Sequence, residues 1–538
     1  MFGAGGGTSS YQEIEETDLV IMWGSNAREA HPIFFHHVLK GINNGARMFA
    51  VDPRRTSSAA WADVWLGIDV GSDIALANAV GREIIEQGLE NKEFIEEATE
   101  GFDSYAAAVD SYTLARSEEI TGVPAAAIQQ LAHEYATAKT AQLCWTLGIT
   151  EHHNATDNVL SLINLALLTG HIGRYGSGLV PVRGQNNVQG GGDMGALPNK
   201  FPGFQDVEND EVRARYEELW GTDLPAKAGR HISLMHESMD EGVLKALYIM
   251  GENPLQSEAD STVMKRRLSD LDFLVVQDIF LTATAELADV VLPAAGWGES
   301  EGTFTSSERR VQRVRKAVEP PGKARGDIEL LSEMARAMGH DWSTPTAEEA
   351  WDEMRSLSPL HGGMSYQRLE DLGGIQWPCP DESHPGELFL HGRLWERPIT
   401  TRRAPFHAVE WVPPVDELTD DFPMRLTTGR RLDSFNTGVQ TGRYSSPRRI
   451  AGVLDLSPED GESLGVGEGD EVLVTSRRGS LEAPVRFDRS LRPGLAFMSV
   501  HFPDEVDVNV LTIEAWDPKS GTAEFKATAI RVEPLVTA

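Results

Sequence analysis

A chain of 538 residues, 41% hydrophobic and 24% charged, is long enough for several domains with sizeable cores, and its net charge of −34 argues against nucleic-acid binding. No apolar run reaches the roughly 18 to 20 residues that span a bilayer, and no basic, apolar leader opens the sequence, so a cytoplasmic location is expected. Two cysteines, Cys144 and Cys379, with no C-x-x-C pair, exclude a disulfide framework or a thiolate-ligated cluster built from these residues. The 37 Arg against 11 Lys on an acidic background suit a salty cytoplasm or a GC-rich genome, and concern solubility, not mechanism. His36-His37 and His152-His153 lack partners at metal-ligand spacing, so no protein-only metal site is expected.

The opening residues MFGAGGGTSS are glycine-rich, and YQEIEETD after them is acidic. A domain does not ordinarily begin inside a glycine loop, so the sequence reads as entered partway. DLVIMWGSN is an apolar run stopped by Gly24, the pattern of a buried parallel strand entering a tight turn. Ala30 to Asn44 is amphipathic and closes on Gly45, as a glycine-capped helix does, and ARMFAVDPRR is a second apolar run ending at Asp52-Pro53. Together they predict a βαβ unit. The unit recurs: ALYIMGENP stops at Gly251, Ser257 to Leu271 reads as a helix, and LDFLVVQDIF ends at Asp278. Gly24 and Asp52 are 28 residues apart, Gly251 and Asp278 27, and each aspartate is followed eleven positions on by another, Asp63 or Asp289.

A glycine that ends a strand and opens a helix leaves backbone N–H groups for phosphates, and an acidic residue at the next strand end bonds a ribose or base. The turns read G-S-N and G-E-N, not G-x-G-x-x-G, so the NAD fingerprint is absent, and each alone better suits a structural turn with a capping side chain. The matched pair implies a ligand with two nucleotide ends, or two nucleotide ligands.

Between the copies, Ile85 to Ala138 predicts several helices and Gln142 to Thr150 a strand leading to His152-His153. The stretch from Gly170 to Asn199 is dense in glycine, with Arg183 in its midst and the amides Gln185, Asn186, Asn187 and Gln189 after it. Glycine lets backbone approach a ligand, and amides give donors and acceptors without charge. The alternative is a flexible loop, but the apolar runs NVLSLINLALLTG and ALPNKFPGF on either side indicate packing. The arginines of ESEGTFTSSERRVQRVRKAVEPPG either make a solvated surface or reach phosphates. From about Pro345 to Pro414 the chain reads as an irregular connection, and from Met424 its short alternating runs predict an all-β barrel. The expected organisation is a first α/β region over 1–140, a second over 141–340, the connection over 341–420 and the barrel over 421–538.

RGQNNVQGGGDMGALPN, MGENPLQSEAD, VVQDIFLTATAELADVVLPAAGWGESEGTFTSSERRVQ and the closing NVLT with EFKATAIRVEP resemble the catalytic subunit of molybdopterin-dependent formate dehydrogenases. That group sits within the molybdopterin oxidoreductases, alongside periplasmic nitrate reductases, and the likeness covers essentially the whole chain. It implies molybdenum or tungsten held between two molybdopterin guanine dinucleotides, in two Rossmann-like α/β regions closed by a C-terminal barrel of the double-psi type. By resemblance, Gly24, Ser25, Asn26, Asp52 and Asp73 hold one dinucleotide, and Gly251, Glu252, Asn253, Gln277 and Asp278 the other. Thr428, Gly429, Arg430, Asn509 and Lys526 come from the barrel, Gln185 lines the pterin, and Arg183 is the catalytic arginine that positions formate. The partners implied are formate and an electron-transfer subunit or carrier.

The family also carries a four-cysteine motif for a [4Fe–4S] cluster and a metal-ligating Cys or selenocysteine, upstream of the part FGAGGGTSS resembles. Their absence implies an N-terminally incomplete chain that turns over formate poorly by itself. The alternatives are another reaction on the same scaffold, such as nitrate reduction, or a non-catalytic cofactor-binding subunit. Where many relatives place a histidine after T-G-R, this chain has S-F-N-T-G, with Asn436 as substitute donor.

Overall fold

An apolar run without alternation needs cover on both faces. The computed structural model provides it for Leu19–Trp23 (β1), whose five residues are all buried. It describes residue 2 and residues 5–396, 402–432, 434, 436–438 and 452–535; residues 1, 3 and 4 of the glycine-rich opening and Phe435 of S-F-N-T-G lie outside the described residues. Pro32–Asn43 (α1), Arg47–Val51 (β2), Val64–Leu66 (β3), Asp73–Glu86 (α2), Ala125–Thr137 (α3), Ala141–Trp145 (β4), Ala155–Thr169 (α4) and Gly178–Pro181 (β5) follow. The strands form one sheet in the order β3-β2-β1-β4-β5, parallel throughout. Leu19, Ile21 and Trp23 pack with Leu76 and Val80 of α2, Leu131 of α3 and Leu162 of α4, while Val20 and Met22 pack with Phe34, Phe35 and Val38 of α1.

The strand expected over 142–150 stops at Trp145, and Leu147–Thr150 is a helical turn. The cause is a contact made by folding: Thr146 Oγ1 and Gly148 N both donate to Gly24 O, at 2.8 and 3.1 Å, and bend the chain there.

The chain divides into two compact units, one of Met1–Gly184, Gln256–Val263 and Phe389–Ala538, the other of Gln185–Leu255 and Met264–Leu388. In the second, Val188–Asp193 (α5) precedes Ala246–Met250 (β6), Ser261–Ser269 (α6), Phe273–Asp278 (β7) and Val290–Pro293 (β8). The three strands form a parallel sheet in the order β8-β7-β6. The single helix expected over 257–271 is shorter, because Asp260, at φ +49, separates α6 from a turn at Pro254–Ser257.

The duplicated unit repeats bond by bond. Gly24 N donates to Val51 O and Gly251 N to Gln277 O, both at 2.8 Å. Asp63 Oδ2 accepts from Met48 N and Asp289 Oδ2 from Leu274 N, again both at 2.8 Å. The copies differ in cover. Ile249, Leu274 and Val276 pack on Met264 and Leu268 of α6, but on the other face Met250, Phe273 and Val290 stay 41%, 45% and 39% exposed.

Asp327–Ala337 (α7) follows, still within the expected second α/β region, and the expected irregular connection itself contains the helices Ala347–Leu357 (α8) and Tyr366–Asp371 (α9). Thr346 and Glu349 form a capping box that starts α8, whose Trp351 and Met354 are buried at helical spacing. Residues 397–401 of that connection lie outside the described residues. The last region is a closed six-stranded barrel of Met424–Gly429 (β9), Leu454–Leu456 (β10), Glu471–Thr475 (β11), Ser480–Phe487 (β12), Leu495–Ser499 (β13) and Thr528–Pro534 (β14). It is not all-β, since Ser457 caps a helix, Pro458–Leu464 (α10), inside it. Residues 439–451 and 536–538 of the expected barrel region lie outside the described residues. Among the described residues no helix is long and apolar enough to cross a membrane.

Candidate functional site

In the first unit the site starts from a glycine contact. Gly24 sits at φ +57, and a Cβ there would stand 2.8 Å from Gly148 C, so the ends of β1 and β4 meet only because both residues lack side chains. Asn26 Oδ1 accepts from Ser58 N and Oγ at 3.3 and 3.0 Å, which shapes the turn. Asp52 Oδ1 accepts from Arg54 N at 2.9 Å, and desolvation pushes its carboxyl up to about 6 against the pull of the Arg54 charge. Trp23 Nε1 donates to Asp73 Oδ1 at 2.8 Å; burial raises the Asp73 carboxyl, and the nearby His152 opposes that rise.

The barrel joins the same place through side chains far apart in sequence. The Arg54 guanidinium lies 3.6 Å from the centroid of the Phe497 ring, and a Cβ on Gly429 would stand 3.0 Å from that ring. Lys526 Nζ is 2.6 Å from Glu151 Oε2 and donates to Thr428 O at 3.1 Å. Arg430, its basicity lowered by burial, feels the Glu151 charge. Asn509 bonds elsewhere, its Nδ2 donating to Gln256 O at 3.1 Å. Arg183 Nη2 donates to Gly5 O at 2.9 Å, and His31 Nε2 lies 2.7 Å from Arg183 O.

Three buried polar atoms here have no partner among the described residues: Ser25 Oγ, His31 Nδ1 and Arg431 Nη1. Unpaired buried groups of this kind are rare in folded proteins, and water, an ion or a bound polar ligand satisfies them. Ser25 Oγ, next to Gly24, therefore fits a polar ligand seated at this turn. Cys144 and Cys379 are both buried, and burial raises the Cys144 thiol, so Cys144 does not suit a thiolate ligand.

The second unit reproduces the turn. Gly251 lies at φ +69 with nothing within 4 Å of its Cβ position, and Glu252 beside it is exposed. Asn253 Oδ1 accepts from Thr284 N and Oγ1 at 3.2 and 2.8 Å, and Asp278 Oδ1 from Phe280 N at 3.0 Å. Gln277 accepts from the Tyr248 hydroxyl and donates through Nε2 to Asp327 Oδ1 at 2.6 Å. Burial raises the carboxyls of both Asp278 and Asp327.

Gln185 and the amides behind it lead into α5, whose sequence VQGGGD opposes a helix by roughly 1 kcal/mol per glycine relative to alanine. Tertiary pins offset this. Asn187, at φ +63, accepts from Thr305 N at 2.9 Å, and the buried Asp193 accepts from Gln189 Nε2 and Trp377 Nε1, both at 2.8 Å. The glycines are therefore not equivalent. A Cβ on Gly190 would stand 2.1 Å from the pinned Asn187 Oδ1, whereas nothing lies within 4 Å of one on Gly191. Gly190→Ala is expected to destabilise the protein by about 1–3 kcal/mol and Gly191→Ala to stabilise it by about 0.5–1 kcal/mol, read as opposite shifts of the urea midpoint.

Sequence reasoning missed His31, Arg54, Phe497, Glu151 and Glu524 as members of the first site. Arg54 lies two residues past Asp52 and was within reach of the motif; Glu524 and Phe497 come together with the turn only by folding.

Two family models account for most of the chain. The Molybdopterin oxidoreductase model matches residues 4–337, and that of the Molydopterin dinucleotide binding domain matches residues 424–529. The chain belongs to the molybdopterin oxidoreductase family, and its cofactor is a molybdopterin dinucleotide carrying molybdenum or tungsten. It is 42% identical over 543 residues to F420-dependent formate dehydrogenase 2 subunit alpha of Methanococcus maripaludis, covering 99% of this chain and 79% of that protein. It is 39% identical over 539 residues to formate dehydrogenase H of Escherichia coli K12, covering 99% of this chain and 75% of that protein. In fold it is similar to acetylene hydratase from Pelobacter acetylenicus, with a TM-score of 0.74 and 20% identity over 98% of this chain and 79% of that one.

Proposed function

We propose that this chain is the catalytic part of an enzyme that oxidises formate to CO2. The observation that carries the reading is the 37–42% identity, over 99% of the chain, to proteins named as formate dehydrogenase alpha subunits. One dinucleotide would be held by Gly24, Ser25, Asn26, Asp52 and Asp73 with Thr428, Gly429, Arg430 and Lys526, and the other by Gly251, Glu252, Asn253, Gln277 and Asp278; Asn509 belongs with the barrel residues and Gln185 with the pterin. The metal centre, when bound, would supply the acceptor for the two electrons of formate oxidation.

The protein's own part is placement and charge. Arg183 offers a planar, always-charged donor that matches a carboxylate in two parallel hydrogen bonds. Arg430 and Lys526 supply further positive charge within the first unit, which offsets the net acidity of the chain locally. A [4Fe–4S] cluster needs four thiolates, so electrons leaving through one draw on cysteines other than Cys144 and Cys379. The reading carries with it an electron-accepting partner and a cytoplasmic location.

The test is made on protein purified from its own cells. Molybdenum or tungsten near one atom per chain, with formate-dependent viologen reduction exceeding nitrate-dependent viologen oxidation, is the expected result. Metal content with nitrate reduction alone would move the chain to another reaction of the family.

A further inference from the structure

His31 lies seven residues after Gly24 and stands at the N-cap of α1 with φ −140 and ψ 60, a conformation outside the helical region. Its ring is the side chain tied to the main chain at Arg183, with Nε2 2.7 Å from Arg183 O. A carbonyl oxygen only accepts, so Nε2 carries the proton. A neutral ring then has a lone pair at Nδ1, the buried atom without a partner among the described residues. The surroundings favour that neutral form: burial lowers His31 to about 4 despite the bond to Arg183, and the Arg430 charge lowers it further. A side chain of two torsions, fixed in tautomer, therefore sets the position of the Arg183 backbone beside a second cation.

We propose that His31 is the positioning residue of an anion site built on Arg183, holding that arginine's main chain through Nε2–H so that its guanidinium meets a small carboxylate or similar planar anion. This rests on the reading of Arg183 as the residue that binds formate. The imidazole does not touch the anion. It acts through the arginine, whose guanidinium is also tied by Nη2 to Gly5 O at 2.9 Å. Holding the chain at one end and the head at the other limits the arginine to few conformations, so less freedom is lost when the anion arrives.

Two substitutions separate positioning from packing. The amide N–H of glutamine reaches the place of Nε2 and can donate to Arg183 O; leucine fills the space without a donor. In the holoenzyme, His31→Leu is expected to raise KM for formate at least about tenfold with kcat changed less than about threefold, and His31→Gln to stay within about threefold of the unsubstituted enzyme in both. Metal content, pterin content and melting temperature are expected to match in all three proteins. An unchanged KM in His31→Leu overturns the proposal, as does an equal rise in both variants, or a loss of cofactor and melting temperature that accounts for the change.

If the unsubstituted holoenzyme oxidises no formate, the formate reading fails, and the positioning role is then read by calorimetric titration with sodium formate and sodium nitrate. Weaker anion binding in His31→Leu, restored in His31→Gln, supports it. Absence of anion binding by the unsubstituted protein overturns it.

Discussion

Arg183→Lys is expected to lower kcat/KM for formate by about 10²-fold or more, with metal and pterin content unchanged. A lysine keeps the charge and loses the flat, two-pronged donor. An ammonium can meet one carboxylate oxygen well, but it cannot fix the plane of the anion, and orientation is where an enzyme of this kind gains rate. The main chain at position 183 is held by His31 whatever side chain it carries, so the substitution changes the head group without releasing the backbone. Steady-state kinetics with a viologen acceptor, alongside metal and pterin analysis, read the two quantities separately. Loss of pterin with unaltered kinetics per metal would instead assign Arg183 to cofactor retention.

The repeat was legible because its determinants are local. A strand that must stop, turn at positive φ and start a helix needs glycine at one position, which marks Gly24 and Gly251 in the sequence. Asp63 and Asp289, visible in the sequence only as a matched spacing, each close a reciprocal pair of hydrogen bonds at the entry to a third strand, backbone N to the oxygen of Met48 or Leu274 and carboxylate to that residue's N–H. The capping box that opens α8 was equally local, as Thr346 and Glu349 at the required spacing, but the Pro, Trp and Gly around it hid the periodicity.

What could not be read depends on contacts made by folding. The doublet His152-His153 has no ligand spacing in the sequence, and the partner of His152, Glu524, is 372 residues away. The Arg54 stack on Phe497 and the tie from His31 to Arg183 are of the same kind. Neither periodicity nor motif spacing carries information across such separations. The open face of the second sheet is another case: LDFLVVQDIF reads as a strand ending at Asp278, and the lack of cover on one of its faces is seen only in the fold.

Glu524→Gln is expected to destabilise the first unit by about 3–5 kcal/mol, because it leaves a buried cation uncompensated. His152 shows why. Its Nδ1 lies 3.2 Å from Glu524 Oε2 and its Nε2 3.1 Å from Gly148 O, and both neighbours only accept, so both ring nitrogens carry protons. Burial lowers the basicity of His152, but the Glu524 charge outweighs it and the net direction is up. Burial likewise raises the Glu524 carboxyl, but His152, His153 and backbone donors hold it well below the usual range. Glu524 also accepts from His153 N at 3.0 Å, Lys526 N at 2.9 Å and Ala527 N at 3.0 Å, so the carboxylate joins the segment after β4 to the segment before β14. The signs of the two shifts define a window. A carboxyl lowered on folding contributes fully above its ordinary value of 4.5 and loses that contribution as pH falls through the folded value. A histidine raised on folding contributes fully below 6.5 and loses that contribution as pH rises through the folded value. Stability from the pair is therefore greatest between 4.5 and 6.5 and declines on both sides. Denaturant midpoints followed across pH are expected to show both limbs in the unsubstituted protein. In Glu524→Gln the alkaline limb should vanish, because burial then lowers His152 and turns its contribution into a loss of stability toward acid; a variant that kept the alkaline limb would assign it to other groups.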